Sequence, residues 1–156
     1  MKLPESTEWA LHSVASAAQL EPDVTVSAAQ LAAHFGVPPA YLAKQLQALV
    51  RAGILNATPG PRGGFRLARP ASEITLFDVV AAVDGGGSPY VCREIRQRGT
   101  GALPRSQCRE RCLFATKMAE AHAAWRAGLE AVTIADVVAT LSTAVVARTQ
   151  RLLARS

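Results

Sequence analysis

At 156 residues the chain is long enough to bury a core in one domain, and 49% of it is hydrophobic, with few aromatics. Lys and Arg number 17 against 12 Asp and Glu, a formal charge of +5 that suits an anionic partner. There is no apolar run of the roughly 18 residues that would suggest a membrane-spanning helix, and the N-terminal residues lack the pattern of a secretory signal, so the expected location is the cytoplasm. A first helix is expected from Pro4 to Leu20, with Ser6 or Thr7 serving its free amides and Leu3, Leu11, Val14 and Ala18 forming its buried stripe. Val24–Val26 reads as an extended lead-in. Ser27 then caps a short helix that Gly36 stops. Pro39 opens a second, running to Gly53, with Leu42, Leu46, Leu49 and Val50 inward and Tyr41, Lys44, Gln45, Gln47 and Arg51 outward.

Two β-prone runs follow, 54–58 and 64–67, around a turn that holds Pro59, Gly60, Pro61, Gly63 and Gly64. Pro and Gly at this density mark a hairpin, because they fix or free φ where the chain reverses. Arg62 sits at its tip, and Arg66 and Arg69 follow on the return strand. Thr75 caps a helix over LFDVVAAVDG, with Leu76, Val79, Val80 and Val83 inward. Residues 85–107 read as a loop rich in glycine and arginine, long enough to be functional or mobile. A long helix is expected over 109–130, with Leu113, Met118 and Trp125 among its apolar contacts, and a last one from Thr133 to the basic C-terminus.

A basic hairpin directly after two short helices is the layout of a winged helix–turn–helix. The helix from Pro39 would enter the major groove, where each base pair presents a distinct donor and acceptor pattern. Tyr41 and Lys44 would reach phosphates, Gln45 and Gln47 base edges, and Arg62 the minor groove, with Arg66 beside it. The plainer alternative is a helical hairpin with a solvated basic face. The chain has no paired acid/base constellation, no nucleophile motif and no phosphate loop, so an enzyme is not expected.

The segment VPPAYLAKQLQALVRAGILNATPGPRGGFRLARPASEITLFDVVAAVDG resembles the winged-helix half of the BadM-type (Rrf-two) family of bacterial transcription regulators. The family includes iron–sulfur and nitric-oxide-responsive members, and the resemblance runs from the first helix through TIADVVATLS. It implies a mainly α fold with a small β wing: a DNA-binding domain over 1–84, a cysteine-containing loop over 85–107, and a long dimerisation helix within 108–156. It further implies a homodimer, probably a repressor by family habit, on a pseudo-palindromic double-stranded DNA operator.

Three cysteines are too few and too odd in number for a disulfide framework. Cluster-bearing members of the family hold three closely spaced cysteines in this loop, and this chain departs from that pattern. Cys92 stands apart and reads as a free thiol, whereas Cys108 and Cys112, as C-R-E-R-C, would share one helical face one turn apart. Glu8 and His12, also four apart, share a face of the first helix. Taken singly, a surface Glu and a helix His are solvated or core residues, and a C-x3-C pair can be two buried small hydrophobes. Together they resemble a redox-sensing member of the family, in which two cysteines of one subunit and a glutamate and histidine of the other hold a [2Fe–2S] cluster. That resemblance implies Glu8, His12, Cys108 and Cys112 as ligands, with Trp9 as a mobile neighbour that reports the redox state. His34 and His122 read as structural. Rival readings are a regulator that senses nitric oxide or loses its cluster, and a cluster-free thiol switch through Cys92 and Cys108.

Overall fold

The computed structural model describes residues 2–61 and 63–154. Arg62, expected at the wing tip, lies outside the described residues. Seven α-helices and one hairpin follow in order: α1 (Glu5–Ala17), α2 (Ala28–Phe35), α3 (Pro39–Arg51), β1 (Leu55–Thr58), β2 (Gly64–Leu67), α4 (Leu76–Asp84), α5 (Leu113–Glu130), α6 (Ile134–Ala139) and α7 (Thr143–Leu153). They form two compact units, one of Lys2–Gly86 with the chain from Leu129 onward, the other of Gly87–Gly128.

In the first unit, α1 packs on α3 and α4, and α2 packs on α3. The core holds Val14, Val26, Leu31, Leu42, Leu46, Leu49, Ile54 and Val79, all 1% exposed or less. The buried face of α1 is made of Thr7, Ala10, Ser13, Val14, Ser16 and Ala17. Of the expected stripe only Val14 is buried, while Leu3, Leu11 and Ala18 are half-buried. Small side chains let neighbouring helix backbones approach closely, so the larger Leu11 is left at the margin. Neither Ser6 nor Thr7 caps α1, which starts after an extended Pro4 without a side-chain cap. On α4, Phe77, Val79 and Val80 are the buried residues, with Leu76 and Val83 half-buried.

The caps expected at Ser27, Thr75 and Thr133 are all present, each as a reciprocal box with the residue three positions on. Such boxes satisfy two of the amides that a helix start leaves without partners. At α4, the Thr75 hydroxyl accepts from the Asp78 amide at 3.1 Å and the Asp78 carboxylate accepts from the Thr75 amide at 2.9 Å. Arg69 donates to the same carboxylate at 3.1 Å. Burial raises the Asp78 carboxyl, but the bonds from Thr75 and Arg69 outweigh it and hold the group below its ordinary value of 3.8. A carboxyl depressed on folding adds stability above its unfolded value and loses it as pH falls through the folded one. Thr75→Ala should therefore cost about 1 kcal/mol at neutral pH, read as a lower urea midpoint. Asp78→Asn should flatten the loss of stability below about pH 4 that the parent shows.

The wing is a two-stranded antiparallel sheet in which Leu55 pairs with Leu67, Asn56 with Arg66, Ala57 with Phe65 and Thr58 with Gly64. Val26 adds a single bridge to Phe65, with amide–carbonyl bonds of 2.8 and 3.0 Å in both directions. This close approach explains Gly64, since a Cβ there would stand 2.7 Å from the Val26 carbonyl oxygen.

The C-terminal region differs from the single helix expected after Thr133. Ser142, whose hydroxyl accepts from the Val145 amide, starts a new helix and separates α6 from α7. Ile134 and Leu153 are buried in the first unit, and Ile134 exchanges a 2.8 Å backbone bond with Ile74. Apolar residues at these positions turn the chain back onto α1 and α2. The extended helix of the C-terminal half is thus α5 alone, 18 residues long.

Candidate functional site

Two groups of residues carry chemistry: the outer face of α3 with the wing, and the cysteine loop. On α3 the core side is fixed by Leu42, Leu46 and Leu49, and the exposed side presents Tyr41, Lys44, Gln47 and Arg51. Tyr41 is 65% exposed, well beyond what a core aromatic would show. Gln45 is half-buried. At about 100° per residue, Gln45 and Gln47 lie on opposite flanks of the helix, so only Gln47 shares the fully exposed side with Lys44. On β2, Arg66 is exposed and stands 3.9 Å from Asp23. An ion pair so open to water contributes little and leaves the guanidinium available to another anion.

On α1, Glu8 and His12 are both exposed, and they line one shallow pocket of about 270 Å³ together with Leu3 and Leu11. The His12 ring lies 5.8 Å from that of Phe35. Trp9 is half-buried against the core. His34 makes an edge contact with Phe35 at 4.9 Å, and His122 lies 5.4 Å from Trp125.

The cysteines belong to the unit Gly87–Gly128 and are exposed at Cys92, half-buried at Cys108 and buried at Cys112. Cys108 ends a short 3-10 turn over Arg105–Cys108, and α5 begins only at Leu113. The two cysteines therefore do not share a helical face, as their spacing had suggested. The reason is local. The Cys112 sulfur accepts from the backbone amides of Ala115 and Phe114, the geometry of a helix cap, and so the helix starts after it. Those amides lower the Cys112 thiol from its ordinary value: the Ala115 bond is the largest influence, burial opposes it, and the Phe114 amide, the Cys92 thiol and Arg96 assist. A sulfur at a helix N-terminus with a cation nearby favours the thiolate.

Arg96 was not singled out by the sequence. It is braced by Glu94, with bonds of 2.5 and 2.9 Å, and donates at 3.0 Å to the Glu110 carbonyl. Its guanidinium pKa is raised, chiefly by Glu94, then by the charges of Cys108 and Cys112. Arg96 thus faces both sulfurs. Glu94 adopts φ 50°, a left-handed conformation that turns the chain so that residues two apart can pair. No spacing rule predicts that turn at a glutamate. Cys92 also differs from its reading as an isolated thiol, because its sulfur meets that of Cys112.

Among the described residues, no three His, Cys, Asp or Glu side chains converge as a metal-binding group. Donors occur as pairs, Glu8 with His12 on α1 and Cys108 with Cys112 around Arg96. The cysteine unit also bears uncovered apolar side chains: Val91 is 73%, Ile95 79%, Leu113 67% and Phe114 72% exposed. Leu113 and Met118, expected as inward contacts of α5, are exposed.

A family model described as Rrf2, iron-dependent transcriptional regulator, matches residues 3–140. YwgB of Bacillus subtilis, named as an HTH-type transcriptional regulator, is 32% identical over 126 residues, covering 80% of this chain and 76% of that protein. Among solved structures, CymR (YrzC), the global cysteine regulator of B. subtilis, superposes with a TM-score of 0.68 at 18% identity, covering 91% of this chain and 99% of that one. IscR of T. potens superposes with a TM-score of 0.66 at 18% identity, covering 92% and 93%. At these identities the structures share the fold.

Proposed function

Because the chain belongs to the Rrf2 family of transcriptional regulators, we propose that it is a homodimeric DNA-binding repressor whose operator affinity follows the redox state of a [2Fe–2S] cluster shared between subunits. The observation that carries this reading is the pairing of donors. Each subunit offers Cys108 and Cys112 at one place and Glu8 with His12 at another, and two complete sets arise when subunits exchange pairs. The donor chemistry fits the group: Cys112 is predisposed to the thiolate, Glu8 and His12 are exposed on one pocket, and Arg96 supplies positive charge beside the sulfurs. The uncovered side chains of Leu113 and Phe114 next to Cys112 give a second copy an apolar surface to cover, as a patch of this kind on a stable protein requires.

When bound, a [2Fe–2S] cluster supplies a one-electron couple. Two thiolates, a carboxylate and a neutral imidazole leave the oxidised site with less negative charge than four thiolates would, and histidine ligation raises the potential further. Arg96 adds a fixed positive charge that favours the reduced state. Trp9, next to Glu8 in sequence and half-buried, is placed to change position when the charge near Glu8 changes.

On the DNA side, α3 lies along the major groove, with Lys44 and Tyr41 on phosphates and Gln47 at base edges, Gln45 taking a flanking position. Arg66 and the wing tip at Arg62 meet the adjoining backbone or minor groove. The N-terminal module serves recognition and the helix that follows the cysteine loop serves dimerisation. The test is operator affinity measured on one anaerobic sample before and after dithionite, with visible absorption confirming an equal cluster content. A difference of about tenfold corresponds to about 1.4 kcal/mol of coupling, ordinary for such a device. Equal affinity in the two states would remove the switch and leave the fold.

A further inference from the structure

Cys92 and Cys112 are 20 positions apart in sequence, yet they open onto the same pocket of about 410 Å³, whose walls include Tyr90, Val91, Ile95 and Phe114. The Cys92 thiol donates to the Cys112 sulfur. One sulfur is exposed and the other is held in place by the Phe114 and Ala115 amides. Cys108 sits on the far side of Arg96's reach and does not line the pocket. An exposed thiol touching a fixed one is the arrangement in which a mixed oxidation closes within one chain.

We infer that Cys92 and Cys112 form an oxidation site for hydroperoxides, which closes to a Cys92–Cys112 disulfide in the cluster-free protein. The Cys92 sulfur attacks the terminal oxygen of the hydroperoxide; the O–O bond breaks, an S–O bond forms, and the thiol proton leaves with the alcohol or water released. The Cys112 sulfur then attacks the sulfenic sulfur. The S–S bond forms, the S–O bond breaks, and water departs with the proton of Cys112. Two thiols are oxidised and one peroxide is reduced. The disulfide takes Cys112 out of any ligand set, so a subunit oxidised in this way cannot be reloaded until a thiol reduces it. The chemistry needs only the contact between the two sulfurs; its consequence for loading rests on the cluster reading.

The test uses the full chain, made cluster-free and reduced, then desalted without oxygen. One equivalent of hydrogen peroxide is added in one arm and of cumene hydroperoxide in the other, followed by iodoacetamide and peptide mapping without reduction. In either arm, free thiols should fall by two per chain, with a Cys92–Cys112 peptide pair and an alkylated Cys108. Cys112→Ser, whose hydroxyl retains an acceptor for the helix amides, should stop at a sulfenic acid on Cys92 that dimedone traps. A cross-link containing Cys108, or three free thiols remaining in both arms, overturns the inference. A protein that forms the Cys92–Cys112 cross-link but never carries a visible chromophore would sink the cluster reading and leave this one standing.

Discussion

Cys108→Ala and Cys112→Ser should each yield colourless protein after anaerobic purification, while Cys92→Ala should retain the visible absorption of the parent. The contrast is sharp because the three cysteines are neighbours. Cys92 touches Cys112, and Arg96 faces Cys108 and Cys112, so an argument from proximity alone would not separate them. What separates them is the count of donors: two thiolates suffice when Glu8 and His12 of a second subunit complete the set. Serine at position 112 keeps an acceptor for the Phe114 and Ala115 amides, so loss of colour there reports loss of a sulfur ligand and not loss of the helix start. Shared ligation gives a stronger test. A heterodimer of a Glu8→Ala/His12→Ala subunit with a Cys108→Ala/Cys112→Ala subunit retains both surviving pairs on opposite chains, hence one intact site and about half the parent absorbance per dimer. Ligation within one chain would leave that heterodimer with none. Colour retained in Cys112→Ser and lost in Cys92→Ala would reverse the assignment of ligands.

The features that could be read in advance were those that depend on residues close in sequence. The S-x-x-Q pattern at Ser27 and the T-x-x-D patterns at Thr75 and Thr133 became capping boxes, since each joins a hydroxyl and a carboxylate or amide within one turn. The hairpin took its expected strands, since Pro59, Gly60, Pro61 and Gly63 leave the chain few ways to reverse. Properties set by packing at a distance were less visible. The buried face of α1 uses Ala10, Ser13 and Ala17 because α3 and α4 pack against it, and hydropathy alone ranks Leu11 above all three. The fold-back of α6 and α7 depends on Ile134 and Leu153 finding room in a core built by the first half of the chain. The cysteine centre combines both kinds. Cys108 and Cys112 stand out by spacing, but the encounter of Cys92 with Cys112 and the placement of Arg96 follow from a left-handed Glu94 and a carbonyl at Glu110. Neither leaves a mark in the sequence.

Gly64→Ala should impair operator binding more than any single truncation on the wing, while leaving the chromophore in place. A Cβ at this position would stand 2.7 Å from the Val26 oxygen and 3.1 Å from the Ser27 nitrogen, both backbone atoms that a rotamer change cannot move. The strand must shift, at a cost on the order of 1–3 kcal/mol for overpacking, and the shift carries Phe65 and Arg66 away from their places beside α2. Because the homodimer engages two half-sites, each wing is affected and the loss in affinity counts twice. Point changes on α3 divide by the type of contact removed. Lys44→Ala should weaken binding to every sequence and reduce the salt slope by about one unit per half-site. Gln47→Ala should cost about 1–3 kcal/mol and relax the preference at one base position, whereas Gln45, on the flank, should tolerate alanine better. Fluorescence anisotropy on operator and scrambled duplexes, repeated across salt concentrations, distinguishes these outcomes. Normal operator affinity in Gly64→Ala, with the helix content of the parent, would show that the hairpin does not meet DNA and leave recognition to α3 alone.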